Sequence, residues 1–174
     1  AMGHSARDFF GLLVDKEMAI EQKPFSMGVR IEHPQKMIDQ AQYGKAYQKV
    51  PDPAEYSLFT KVEGRTVYSF CMCPGGRVIN ASSENGHLVT NGMSYQKRNL
   101  QNANSAWVVS VSKADFPHKH PLAGVDLQRS LEEKTYQASG DIHTAPVQRL
   151  EDFTKDQRTI KIGSVRPSLM EILY

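Results

Sequence analysis

The chain has 174 residues, of which 40% are hydrophobic and 23% charged, with a formal net charge of +2. That length suits one domain with a real core. The charge is too small to argue for nucleic acid or an anionic membrane as a partner. No apolar run approaches the roughly 18 residues of a membrane-crossing helix. The apolar run Phe9 to Val14 is interrupted by Gly11 and preceded by Arg7 and Asp8, which is not a signal-peptide pattern. Two cysteines are the usage of a reducing compartment rather than a disulfide framework, so a cytoplasmic location is expected. Ala1-Met2 reads as a cloning remnant.

The chain opens with a predicted helix. Ser5 is a candidate N-cap, Asp8 stands three residues on, and Phe9, Leu12 and Leu13 form an apolar stripe that ends near Lys16. "MAIEQKPF" then reads as a short strand. "FSMGVRIEH" alternates Met27, Val29 and Ile31 against Ser26, Gly28, Arg30 and Glu32, which is strand-like. Pro34 suits the first turn of a helix carrying Met37, Ile38 and Ala41, and Gly44 can stop it. Residues 45–54 read as a polar loop.

Strands are predicted at 55–62, 65–73, 77–83 and 87–93, with turns at Glu63-Gly64, Pro74-Gly75-Gly76 and Asn85-Gly86. They read as one antiparallel meander. The Asn-rich stretch 94–105 reads as a long loop, and "AWVVSVS" (106–112) as a further strand. "LAGVDLQRSLEEKTYQASG" makes the best helix, closed by Gly140. The remainder has weak periodicity and ends on the apolar "LMEILY", which suggests a domain taken from something larger. The fold class expected is α+β: an antiparallel sheet of about four to six strands with flanking helices.

Several chemistries lack their motif. No Gly-x-Gly occurs, so neither a dinucleotide fingerprint nor a phosphate-cradling Walker loop is present. There is no Gly-x-Ser-x-Gly elbow and no Cys-x-x-Cys. The two cysteines form Cys71-Met72-Cys73, followed by Pro74-Gly75-Gly76. On a regular strand, period two puts both thiols on one face with Val67 and Ser69. Four readings stand. A metal site would need further ligands, and His118 and His120 are the close histidine pair. A disulfide between the two would be strained in a strand. The thiols could simply pack in a sheet. They could also line a ligand surface, where the glycines allow main chain to approach a flat ring. His4, Ser5 and Arg7 together could receive an anion at the first helix start.

Collinear blocks along nearly the whole chain carry a resemblance. They are "GHSARD" (3–8), "KPFSMGVRIEHPQ" (23–35), "AQYGK" (41–45), "YSFCMCPGG" (68–76), "NASSE" (80–84), "TNGMS" (90–94), "NANSA" (102–106), "PLAGVDLQR" (121–129), "APVQ" (145–148) and "GSVRPS" (163–168). Together they resemble large bacterial flavoproteins described as FAD-dependent dehydrogenases or NAD(P)/FAD-dependent oxidoreductases. The resemblance implies that residues 1–174 are a single substrate-side or cap domain inserted in the FAD-binding domain of a larger polypeptide. FAD would belong to the full-length parent and not to this chain alone, and the chain alone would not catalyse a reaction. The implied partners are the FAD-binding domain of the same polypeptide and a small-molecule substrate that the motifs leave undefined. No catalytic residue carries over. The candidate flavin-facing residues are Cys71, Cys73, Gly75, Gly76, Asn91 and Met93, with the Pro74–Gly76 turn expected to be exposed. The competing reading is a free-standing binding or metal-sequestering module built on Cys71 and Cys73.

Overall fold

The computed structural model describes Gly3 and residues 5–169. The expectations placed on His4 and on most of the apolar tail, Met170 to Tyr174, lie outside the described residues. In chain order the elements are α1 (Arg7–Asp15), β1 (Phe25–Pro34), α2 (Gln35–Tyr43), β2 (Phe59–Val62), β3 (Arg65–Cys73), β4 (Gly76–Asn80), β5 (Thr90–Ser94), β6 (Asn102–Val111), α3 (Ala123–Ser139) and α4 (Leu150–Thr154). Single 3₁₀ turns cover Gly44–Lys49 and Lys113–Asp115. The class is α+β, as expected.

The sheet differs from a single meander. Four antiparallel strands run in the order β1-β6-β3-β2, and β4-β5 form a separate two-stranded ribbon. The long strand β6 is the centre, pairing with β1 from Phe25↔Val111 to Pro34↔Asn102 and with β3 on its other edge. Its first half is the Asn-rich stretch read from sequence as loop. Ala103, Asn104 and Ser105 are all fully buried there. Polar composition misled because these side chains bond within the fold rather than to water: Asn104 Oδ1 accepts from Arg30 at 2.7 Å, and Asn102 Nδ2 donates to Glu32 at 2.8 Å.

"MAIEQKPF" forms no strand. Gln22 in it donates instead to the carbonyls of His118 and His120. α1 begins at Arg7 with Ala6 as N-cap and no side-chain cap, so the Ser5–Asp8 box does not form. Pro34 ends β1 and caps α2 from outside. Gly44 and Gly140 do close their helices, both at positive φ.

The apolar core lies at one end of the sheet. Val111, Phe116 and Ala123 are buried, with Phe25, Met27 and Leu127 against them. Phe25 and Phe116 stack with ring centroids 5.5 Å apart. Gly124 leaves room for that stack, since a Cβ there would stand 3.0 Å from the Phe25 ring. A charged cluster ties α1 to α3. Arg7, 4% exposed, donates to Glu84 at 2.7 Å and to both carboxylate oxygens of Glu132, and Arg129 also binds Glu84. Arg7 is therefore engaged by two carboxylates, which opposes the expected anion site at the start of α1.

Candidate functional site

The site grows from a break in β3. Phe70 lies opposite Ala106 and Cys73 opposite Asn104, so three steps along β3 match two along β6. That is a β-bulge, and Cys71 within it has φ +49°. The bulge corrects the expected facing of the thiols. Ala106 and Asn104 share a face of β6, so Cys73 falls on the face of Phe70 and not on that of Ser69. Cys71 is exposed and Cys73 buried. The Cys73 thiol donates back to the Cys71 carbonyl at 3.3 Å. Burial first, then its neighbour Cys71, push the Cys73 thiol above its ordinary value.

Arg30 is the hub. It lies opposite Ala106 on β1, so Phe70, Ala106 and Arg30 form one row across three strands. Its Nη1 donates to Asn104 Oδ1 at 2.7 Å and its Nη2 to Asn91 Oδ1 at 3.3 Å. It is half-buried, and desolvation lowers its pKa against the favourable influence of Cys73, Cys71 and Tyr56. No carboxylate lies within ion-pair distance of it among the described residues. Gly92 makes the close approach possible, because a Cβ there would stand 2.0 Å from Asn104 Oδ1 and 2.3 Å from Arg30 Nη1. Asn104 Nδ2, in a fully buried residue, has no hydrogen-bond partner among the described residues. Next to this cluster, His33 Nε2 and the Tyr56 hydroxyl are 2.9 Å apart, and burial holds His33 below its ordinary value and so neutral.

Of the sequence candidates, Cys71, Cys73 and Asn91 thus gather around Arg30. Gly75, Gly76 and Met93 do not. The Pro74–Gly76 turn is buried, contrary to the expected exposure. Gly75 N–H donates to Gln35 Oε1 at 2.7 Å, its carbonyl accepts from Leu100, and a Cβ would stand 1.8 Å from the Arg98 carbonyl. Ser94 Oγ donates to the Pro74 carbonyl at 2.7 Å. Met93 presents its carbonyl to Gly76, where a Cβ would meet it at 2.3 Å. The close approach that the glycines allow is to this chain's own backbone.

His118 and His120 sit in the loop before α3, and His118 Nε2 is 3.1 Å from Asp126. Among the described residues no group of three or more His, Cys, Asp or Glu is arranged to hold a metal ion. On the same face of the sheet as Arg30 stand uncovered apolar side chains, Phe70 on β3 at 61% and Phe59 on the far edge strand β2 at 83% exposure. Phe70 lines a cleft of about 320 Å³ with Phe25, Ser26, Tyr68 and Val108.

The family description "FAD-dependent protein, C-terminal domain-like" matches residues 24–173. The chain belongs to this FAD-dependent protein family. It is also 47% identical over 171 residues, 97% of its length, to an uncharacterised protein of Clostridium beijerinckii. The chain spans 32% of that relative's length. The hub Arg30 lies in "KPFSMGVRIEHPQ" and Asn104 in "NANSA", two of the blocks that carry the flavoprotein resemblance. Sequence reading singled out neither residue, since assigning 94–105 to loop hid the pairing that joins them. No described helix is long and apolar enough to cross a membrane.

Proposed function

We propose that this domain is the substrate-side domain of an FAD-dependent oxidoreductase, inserted in its FAD-binding domain and not catalytic alone. FAD belongs to the full-length parent, and the FAD-binding domain of the same polypeptide covers the face carrying Phe59, Phe70 and Arg30. The observation that carries the reading is the half-buried Arg30 guanidinium, which lacks a carboxylate partner among the described residues and is bonded to the exposed Asn91. A cation held in a partly desolvated site favours negative charge brought next to it.

The groups present fit a flavin. The Arg30 guanidinium supplies N–H donors, and Gly92 removes the side chain that would displace it from Asn104. When bound, the cofactor supplies two-electron transfer. This chain's part is orientation, exclusion of water and a fixed positive charge. Asn91 and Asn104 hold the guanidinium in place through their Oδ1 atoms. Cys71 and Asn91 offer the exposed polar contacts, whereas Gly75, Gly76 and Met93 act by packing the turn behind them.

The test is made on the full-length protein. Arg30→Met is expected to lower the flavin reduction potential by about 30 mV, a tenfold change for a two-electron couple, with flavin content retained. An unchanged potential and an unchanged flavin spectrum would remove the basis for this orientation.

A further inference from the structure

We propose that Cys71 and Cys73 form a reversible dithiol–disulfide pair, with Cys71 as the entry thiol and Cys73 as the resolving thiol. The idea stands on this chain's own geometry and does not rest on the flavin assignment. In a regular strand, residues two apart on one face cannot easily bond, which is why the sequence argues against a disulfide. The bulge removes that objection. With Cys71 at φ +49°, the backbone turns between the two cysteines, and the Cys73 thiol points back to the Cys71 carbonyl at 3.3 Å.

The division of labour follows from access. Cys71 is exposed and Cys73 is 7% exposed, so an external disulfide reaches Cys71 first. Arg30 binds Asn104, the residue opposite Cys73 on β6. A non-glycine residue held at positive φ inside a strand also carries a cost that simple packing of two small side chains does not require.

The chemistry balances with a low-molecular-weight disulfide as oxidant. The Cys71 thiolate attacks one sulfur of the disulfide, forming a mixed disulfide and releasing the first thiolate. Cys73 loses its proton to solvent and attacks Cys71 Sγ, forming the intramolecular bond and releasing the second thiolate. Two protein thiols are oxidised and one external disulfide is reduced to two thiols.

The experiment equilibrates the 174-residue chain in glutathione buffers of graded potential, quenches with an alkylating reagent and counts free thiols by mass. The expected result is one two-electron transition in which both thiols disappear together, without a stable glutathione adduct. Cys73→Ser is expected to trap the mixed disulfide on Cys71, and Cys71→Ser to oxidise far more slowly. A wild-type chain that stops at a glutathione adduct, or loses its thiols independently or between molecules, overturns the proposal. So does a Cys71→Ser variant that oxidises as fast as wild type. None of these outcomes touches the flavin potential test above, so the two readings fail separately.

Discussion

The Arg30 guanidinium occupies the space beside Gly92 that a side chain at position 92 would need. A Cβ there would lie 2.3 Å from Nη1 and 2.0 Å from the Asn104 oxygen that Nη1 binds. Gly92→Ala is therefore expected to expel Arg30 from its contact with Asn104. The cost is about 2 kcal/mol, within the range for overpacking a close contact. Denaturant unfolding of the chain checks the stability. A crystal structure of the variant with Arg30 still 2.7 Å from Asn104 would contradict the account.

Gly75 fails for two reasons at once. Its φ is +47°, and a Cβ would stand 1.8 Å from the Arg98 carbonyl, which is backbone and cannot swing away. Gly75→Ala is expected to destabilise the chain by about 3 kcal/mol, more than Gly92→Ala, where flexible side chains receive part of the clash. Comparing the two denaturation midpoints decides the order.

These glycines show how far the sequence could be read. Pro74-Gly75-Gly76 was legible as a turn needing close backbone approach, and that is what the structure contains. What approaches is the 95–101 loop, a contact no local pattern announces. The helices at 35–43 and 123–139 were legible because their apolar spacing and closing glycines agree. β6 was not, because its first half buries Asn and Ser instead of Val and Ile. Alternation of apolar and polar residues finds a half-buried strand but misses one whose buried side chains are polar and hydrogen-bonded. Losing Asn104 to a loop also lost Arg30, its partner. The bulge was hidden for a related reason: Cys-Met-Cys fits period two, and only the register against β6 reveals the extra residue.

Phe59 is 83% exposed on the edge strand, so within this chain it contributes little. Phe59→Ser is expected to change the stability of the 174-residue chain by no more than about 0.5 kcal/mol. If, as proposed, the FAD-binding domain of the full-length protein covers this face, the same substitution there is expected to cost about 2 kcal/mol, the value of fully burying such a side chain. Parallel unfolding measurements on the two chains test it. Equal small effects in both would show that this face stays open to water.

The α1–α3 cluster gives the chain a predicted acid sensitivity. Hydrogen bonds from Arg129, opposed by burial and aided by Arg7, hold the Glu84 carboxyl at about 2, below its ordinary 4.5. The folded state therefore binds the Glu84 proton more weakly than the unfolded state. The stability it contributes is fully present above about pH 4.5 and is lost as pH falls through about 2. Glu84→Gln is expected to lower stability at pH 7 by about 2 kcal/mol, since the buried Arg7 keeps Glu132 but loses one of its two charged partners. The same variant is expected to show a flatter decline between pH 4.5 and 2, because the titrating group is gone. Unfolding free energies across that range settle it: parallel wild-type and variant curves would mean that Glu84 does not carry the acid response.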